Sequence, residues 1–123
     1  MDRETVIENL IKYSELIFTV VMPNKIILFG SYAKGNWTDN SDIDVAVLVD
    51  KISDNFLQLS TQLCKLTRKI DCRIEPVLLE EENDRSGFVA DIIKNGIIIY
   101  ENKTKKITGK GLILYENNNK AMA

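Results

Sequence analysis

The chain has 123 residues, 45% of them hydrophobic and 28% charged, which predicts a single globular domain with one core. The formal net charge of −2 gives no bulk electrostatic attraction to nucleic acid, so we expect no strong nucleic-acid binding. No apolar run reaches the roughly 18 residues of a membrane-spanning helix, and the start, MDRETVIENL, is unlike a signal peptide. We therefore expect a cytoplasmic protein without a membrane segment.

The first half of the chain predicts one helix and two strands separated by a polar turn and loop. Apolar residues recur at intervals of three and four over residues 3–21, which predicts a helix that ends before Pro23. Buried strands are predicted at Lys25–Phe29 and, from its β-branched content, at 42–49. Between them we expect a tight turn at 30–35 and a loop at 36–41.

The second half predicts two more helices around a third strand. Residues 54–69 carry one apolar stripe with Asp54 as the candidate N-cap, and residues 84–95 form the last helix, with Asp84 near its start. Between these helices, residues 71–79 predict a strand in which Pro76 suggests a sheet edge. A short apolar segment follows at 97–100.

The tail repeats itself. The heptapeptides GIIIYEN and GLILYEN start fifteen residues apart, joined by the basic connection KTKKITGK. Two interpretations stay open: a loose hairpin with chance similarity, or a second short strand that docks on the core or on a partner. We divide the chain into a domain at 1–100 and an extension at 101–123, with a possible short strand and a flexible end.

The order of elements predicts an α/β (α+β) fold. Helix, strand, turn, strand, helix, strand and helix follow one another, which is typical of a small mixed β-sheet with helices packed mainly on one face.

Residue types limit the chemistry. The chain lacks histidine, so histidine bases, histidine zinc ligands and Ser–His or Cys–His catalysis are excluded. The two cysteines, Cys64 and Cys72, are interpreted as small buried thiols in a reducing compartment. Any reaction must then use carboxylates, hydroxyl groups, lysine or arginine.

Two aspartates open the second predicted strand. Because strand residues i and i+2 share a face, Asp42 and Asp44 project together, about 6.5–7 Å apart. Two carboxylates at that distance repel each other, and a divalent cation such as Mg²⁺ relieves the repulsion. On the third strand, Asp71 and Glu75 are both candidates for a third carboxylate that would permit a second metal ion.

A phosphate-binding turn precedes this acid pair. Gly30 follows the first strand, where the absence of Cβ allows a phosphate to approach the backbone, and Ser31 adds a hydroxyl group and an N–H group. We predict phosphate binding by Gly30, Ser31, Lys34 and Ser41. Trp37, in the loop between the two motif halves, is interpreted as a partly buried anchor, with base stacking or a partner contact as the alternative.

The combination Gly30-Ser31, ten residues, then Asp42-x-Asp44 resembles the signature of the DNA polymerase β-like nucleotidyltransferase superfamily. The short chain is similar to its minimal nucleotidyltransferase branch. The resemblance implies the polymerase β-like fold, with ATP as substrate and Mg²⁺ held by Asp42, Asp44 and a third acid. Measured from Tyr100-Glu101, Glu75 fits that third position better than Asp71.

The same resemblance implies a partner. Members of the minimal branch are commonly the antitoxins of HEPN-domain toxins, so we expect AMP transfer from ATP to a hydroxyl group on a HEPN-domain protein, and possibly a homo- or hetero-oligomer. Two alternatives remain open at this point. One is a catalytically silent binding antitoxin or nucleotide-sensing subunit, and the other is a small-molecule (antibiotic) nucleotidyltransferase.

Overall fold

A computed structural model of the chain describes residues 2–52 and 54–102, together with the backbone of three two-residue strands further on. The helices are α1 (Arg3–Ile17), α2 (Ser31–Lys34), α3 (Phe56–Leu66), which continues into a 3-10 turn (Thr67–Lys69), and α4 (Phe88–Asn95). The strands are β1 (Lys25–Phe29), β2 (Ile43–Val49), β3 (Ile74–Glu80), β4 (Ile97–Asn102), β5 (Lys106–Ile107), β6 (Ile113–Leu114) and β7 (Asn117–Asn118).

The main sheet has the order β3-β2-β1-β4-β7. β2 and β3 are parallel and are joined through α3, whereas β1 is antiparallel to both of its neighbours, β2 and β4. β5 and β6 form a separate antiparallel pair. The predicted mixed sheet is confirmed, and β3, which carries Pro76, is an edge strand in this order.

Helices cover the two faces of the sheet unequally. On one face, α1 and α3 pack on alternate residues of β1 and β2 and enclose the larger hydrophobic cluster, which includes Leu10, Ile26, Val45 and Leu63. On the other face, α4 packs on the intervening residues and encloses a smaller cluster: Ile27, Ala46, Leu48, Val89 and Ile92. Strand side chains alternate between the two faces of the sheet, and this alternation produces the division into two clusters. Because α1 and α3 share one face, the prediction that the helices pack mainly on one face is confirmed.

Local hydrogen bonds set helix boundaries that differ from the predicted ones. α1 ends at Ile17 rather than residue 21, and the hydroxyl group of Thr19 donates to the Leu16 carbonyl at 2.6 Å beyond that end. Asn55, not Asp54, is the N-cap of α3. α4 begins four residues after Asp84, whose carboxylate accepts the N–H groups of Val89 and Ala90 at 3.0 and 2.9 Å.

The prediction of buried thiols is wrong. Cys64 and Cys72 are free and exposed, the first beside the buried Leu63 on α3 and the second in the turn before β3. The predicted third strand started too early, since β3 begins only at Ile74 and Cys72 is therefore not a core-facing strand residue.

Within the described residues, no helix combines the length and the hydropathy that crossing a membrane requires.

The apolar segment at 97–100 is part of β4, which pairs with β1 inside the sheet. Of the second copy of the repeat, β6 pairs with β5, and β7 begins at its last residue, Asn117, and pairs antiparallel with Glu101 and Asn102 at the end of β4. The other residues of the extension, including those on which its predicted flexible end falls, lie outside the described residues.

Candidate active site

The turn after β1 lies directly against the acid pair. Gly30 connects β1 to α2 with φ 74° and ψ −150°, a backbone conformation that is essentially restricted to glycine. A Cβ atom at Gly30 would overlap the carboxylate of Asp44. The predicted helical turn follows at once, with Ser31 as its first residue. The backbone of the predicted nucleotide-binding turn therefore contacts the predicted metal-binding strand.

Strand register brings two acidic side chains together across β2 and β3. Asp44 pairs with Phe29 of β1 on one side and with Glu75 of β3 on the other. Directly paired residues project from the same face of a sheet, so the Asp44 and Glu75 carboxylates are neighbours. Asp42 lies one residue before β2, and its side chain is exposed, as is that of Glu75.

Mutual repulsion of these carboxylates appears in the pKa of Asp44. Burial raises this pKa above its ordinary value, and the negative charges of Asp42 and Glu75 raise it further. An opposite charge placed among the three groups would reverse the effect, because a nearby cation favours the ionised form of a carboxyl group. The electrostatics of this face therefore fit a cation.

The carboxylates fit Mg²⁺ as a shared site rather than as a complete protein cage. Within residues 2–52 and 54–102, no three acidic or cysteine side chains lie close enough to form a ready metal-ligand group. Mg²⁺ in nucleotide enzymes is commonly held by one or two carboxylates together with substrate phosphates and water. Asp42 and Asp44, beside the Gly30 turn, match that donor set because the triphosphate would supply the remaining oxygens.

Asp71 belongs to a different interaction. Its carboxylate accepts the backbone N–H group of Arg73 at 2.9 Å and is paired with the Arg73 guanidinium, at 2.9 Å from Nη2. The hydrogen bond from the Arg73 side chain holds the pKa of Asp71 below its ordinary value. Asp71 is not among the groups that raise the pKa of Asp44. The structure thus brings together Asp42, Asp44 and Glu75, and it leaves Asp71 with Arg73.

The other predicted nucleotide-binding residues are less closely tied to the acids. Lys34 is exposed at the end of α2. Ser41 closes the loop before Asp42, since its hydroxyl oxygen accepts the N–H group of Thr38 at 2.8 Å. Ser41 therefore has a structural role here, and nucleotide contacts by either residue stay predictions.

Sequence reasoning missed Arg3, which reaches from α1 to the other side of the turn. Its guanidinium donates to the carbonyl oxygens of Tyr32 and Ala33, at 2.9 and 3.3 Å, and lies 5.4 Å from the ring centroid of Trp37. Trp37 stacks on Tyr32 with ring centroids 5.3 Å apart. The interpretation of Trp37 as a partly buried anchor is confirmed. No signal in the sequence links Arg3 to residues about thirty positions away.

A glycine turn after one strand, facing an acid pair on the next strand of a small mixed sheet, defines a nucleotidyltransferase. The family model "Polymerase beta, Nucleotidyltransferase" matches residues 4–105, and the chain belongs to this family.

Curated relatives come from Methanocaldococcus jannaschii. The chain is 35% identical over 77 residues to "Putative protein adenylyltransferase MJ0604", a match that covers 62% of this chain and 77% of that protein. It is 26% identical over 98 residues to "Putative protein adenylyltransferase MJ0141", covering 75% of this chain and 96% of the relative.

A solved structure has the same fold. The crystal structure of a "putative nucleotidyltransferase" from Sulfolobus solfataricus superimposes with a TM-score of 0.58 at 18% identity, over 91% of this chain and 89% of that one. At this identity the likeness supports the fold alone.

Proposed function

We propose that the protein transfers AMP from ATP, in the presence of Mg²⁺, to a hydroxyl group on a partner protein. The observation that carries the proposal is the grouping of Asp42, Asp44 and Glu75 on the sheet face that adjoins the Gly30 turn. The names of the two relatives support adenylyl transfer to protein, as distinct from other nucleotidyl transfers.

Each acidic residue has a distinct role in this proposal. Asp42 and Asp44 hold Mg²⁺, which when bound offsets the negative charge of the triphosphate and of the departing pyrophosphate. The Gly30–Ser31 turn binds the triphosphate through its backbone and the Ser31 hydroxyl group. Glu75, beside Asp44 and exposed, accepts the proton of the acceptor hydroxyl group and assists in metal binding.

The bond changes balance as follows. The acceptor oxygen forms a bond to the α-phosphorus of ATP as its proton passes to Glu75. The bond between the α-phosphorus and the oxygen that bridges to the β-phosphorus breaks, and pyrophosphate leaves. The product is an AMP phosphodiester on the acceptor, so no oxidant, reductant or further co-reactant is needed.

The acceptor in this proposal is a HEPN-domain toxin, which the protein neutralises as its antitoxin. Two considerations support a protein acceptor. Apart from the short β5–β6 pair, the described residues form one five-stranded sheet with its helices, which leaves no second domain among them to bind a small acceptor. The similarity to the minimal nucleotidyltransferase branch points to a partner of the HEPN class.

A labelling experiment tests the proposal. The purified protein is incubated with α-labelled ATP, Mg²⁺ and the product of the adjacent gene, and label on that protein is measured. Asp44→Asn, which keeps the shape of the side chain and removes its charge, should abolish the label. Asp54→Asn is the matched control, since Asp54 is exposed and lies beyond the opposite end of β2.

Three outcomes separate the candidate functions. Label on the partner with wild type and Asp54→Asn, but not with Asp44→Asn, supports the proposal. A tight complex that never becomes labelled would contradict it and favour a binding antitoxin. Transfer to added aminoglycosides or other small hydroxyl compounds, with none to the partner, would favour the small-molecule enzyme.

A further inference from the structure

The helical turn that carries Ser31 is too short to be stable by itself. α2 has four residues, and a single isolated turn of helix fixes more backbone dihedrals than its few hydrogen bonds can offset. Its last carbonyl groups have no partner inside the helix. Contacts from outside α2 must therefore keep this turn in place next to Asp44.

Arg3 supplies those contacts. Its Nε donates to the Tyr32 carbonyl at 2.9 Å and its Nη2 to the Ala33 carbonyl at 3.3 Å, so one guanidinium bridges two orphan carbonyls at the C-terminal end of α2.

The same guanidinium fixes the loop that leads to the acid pair. Its central carbon lies 5.4 Å from the ring centroid of Trp37, within the range of a cation–π interaction. Trp37 in turn stacks on the fully buried ring of Tyr32, with an interplanar angle of 13°. Trp37 stands five residues before Asp42, so Arg3 ties together both segments that flank the acid site.

We propose that Arg3 is a positioning residue for nucleotide binding, because it holds α2 and the Trp37 loop at the separation at which the Gly30–Ser31 turn faces Asp44. The inference rests on the proposed function in one respect, that MgATP is the ligand of this turn. Arg3 itself does not touch the nucleotide. Its effect is on nucleotide affinity through the geometry of the turn.

Trp37 makes the inference measurable without any transfer reaction. It is the single tryptophan of the chain, so fluorescence excited selectively in tryptophan reports on this stack. In the nucleotide-free protein, Arg3→Gln should increase quenching of Trp37 by acrylamide. Asp2→Ala is the matched control: it removes the N-cap of the same helix, a 2.8 Å hydrogen bond to the N–H group of Thr5, without touching α2.

MgATP titrations followed by calorimetry form the second arm. Loss of two charge-assisted hydrogen bonds should weaken MgATP binding by Arg3→Gln about tenfold, because displacing the turn costs part of their combined strength. Arg3→Lys keeps the charge but cannot bridge both carbonyls, so its affinity should fall between wild type and Arg3→Gln. Asp2→Ala should bind MgATP within about twofold of wild type, because it removes neither of the hydrogen bonds from Arg3 to α2.

The outcomes distinguish this inference from the proposed function. Wild-type affinity for MgATP in both Arg3 variants would overturn the inference and leave the proposed function intact. Equal weakening by Asp2→Ala and Arg3→Gln would also overturn it, because the effect would then be general destabilisation of α1. Absence of MgATP binding by wild type would refute the proposed function, and the inference with it. If Arg3→Gln does not fold, Arg3→Lys against Asp2→Ala decides.

Discussion

Replacing Gly30 with alanine should destabilise the folded protein through two distinct effects at the candidate active site. The backbone conformation at Gly30, φ 74° and ψ −150°, should cost a residue with a Cβ atom about 1–3 kcal/mol. The new methyl group would also displace the Asp44 carboxylate, and an off-rotamer side chain costs about 0.5–1.5 kcal/mol. Together these effects predict a loss of about 1.5–4.5 kcal/mol in the free energy of unfolding.

Urea denaturation measures the loss, and two further variants identify its parts. Gly87→Ala lies in the milder left-handed conformation (φ 78°, ψ 7°) with open space around the added Cβ, so it should show backbone strain alone, about 1–2 kcal/mol. In an Asp44→Ala background, Gly30→Ala should cost about 1 kcal/mol less than in wild type, because the displaced carboxylate is gone. Equal costs in the two backgrounds would refute the contact between Gly30 and Asp44, and a cost near zero would refute the backbone conformation itself.

Two further predictions concern the carboxylates. The raised pKa of Asp44 means that the folded state binds the proton of this carboxyl group more tightly than the unfolded state does. At neutral pH the ionised carboxylate therefore lowers the free energy of unfolding by its full amount. Without Mg²⁺, Asp44→Asn should be more stable than wild type in urea denaturation at pH 7. This difference in stability should vanish as the pH falls below 3.8, the ordinary pKa of an aspartate. A difference that stays constant across that pH range would contradict the prediction. The lowered pKa of Asp71 has the opposite sign, so its pairing with Arg73 stabilises the protein above pH 3.8 and is lost as the pH falls through the lowered value. Asp71→Asn should lower the free energy of unfolding by about 1 kcal/mol at pH 7 and keep most AMP transfer. Glu75→Gln should reduce AMP transfer about 100-fold or more. The reverse pattern of activities would make Asp71 the third acid.

Strand patterns in the sequence were sufficient to predict the main features of the sheet. The prediction that Asp42 and Asp44 share one face of their strand leaves the alternating residues Ile43, Val45 and Val47 to the other face, and these three residues lie in the larger hydrophobic cluster. The prediction works because a strand has a fixed two-residue period, whatever its neighbours are.

What sequence reasoning could not supply was pairing over long separations. Glu75 lies beside Asp44 because β2 and β3 pair in parallel, and the register of two strands separated by a helix is not encoded in either strand alone. The pairing of Asp71 with Arg73 is local by contrast, and it was missed because it forms in a turn before β3, where the predicted strand at 71–79 required an extended conformation.

Contacts from the N-terminal helix were equally out of reach. Arg3 is separated from Tyr32 by 29 positions, and an arginine in a first helical turn is ordinarily a solvated residue. The predicted burial of the two cysteines was wrong for a related reason. Residue type gives only an average burial, and the exposure of each thiol depends on tertiary packing.

The unequal division of the two cores has an evolutionary consequence. Most of the buried apolar side chains lie under α1 and α3, whereas Asp44 and Glu75 project from the opposite face, which among the described residues is covered by α4. Substitutions around the acids on that face would leave the larger core intact and so lower the free energy of unfolding only slightly. If the proposed AMP transfer takes place on this face, the residues around the acids can change with the acceptor while the same scaffold is retained.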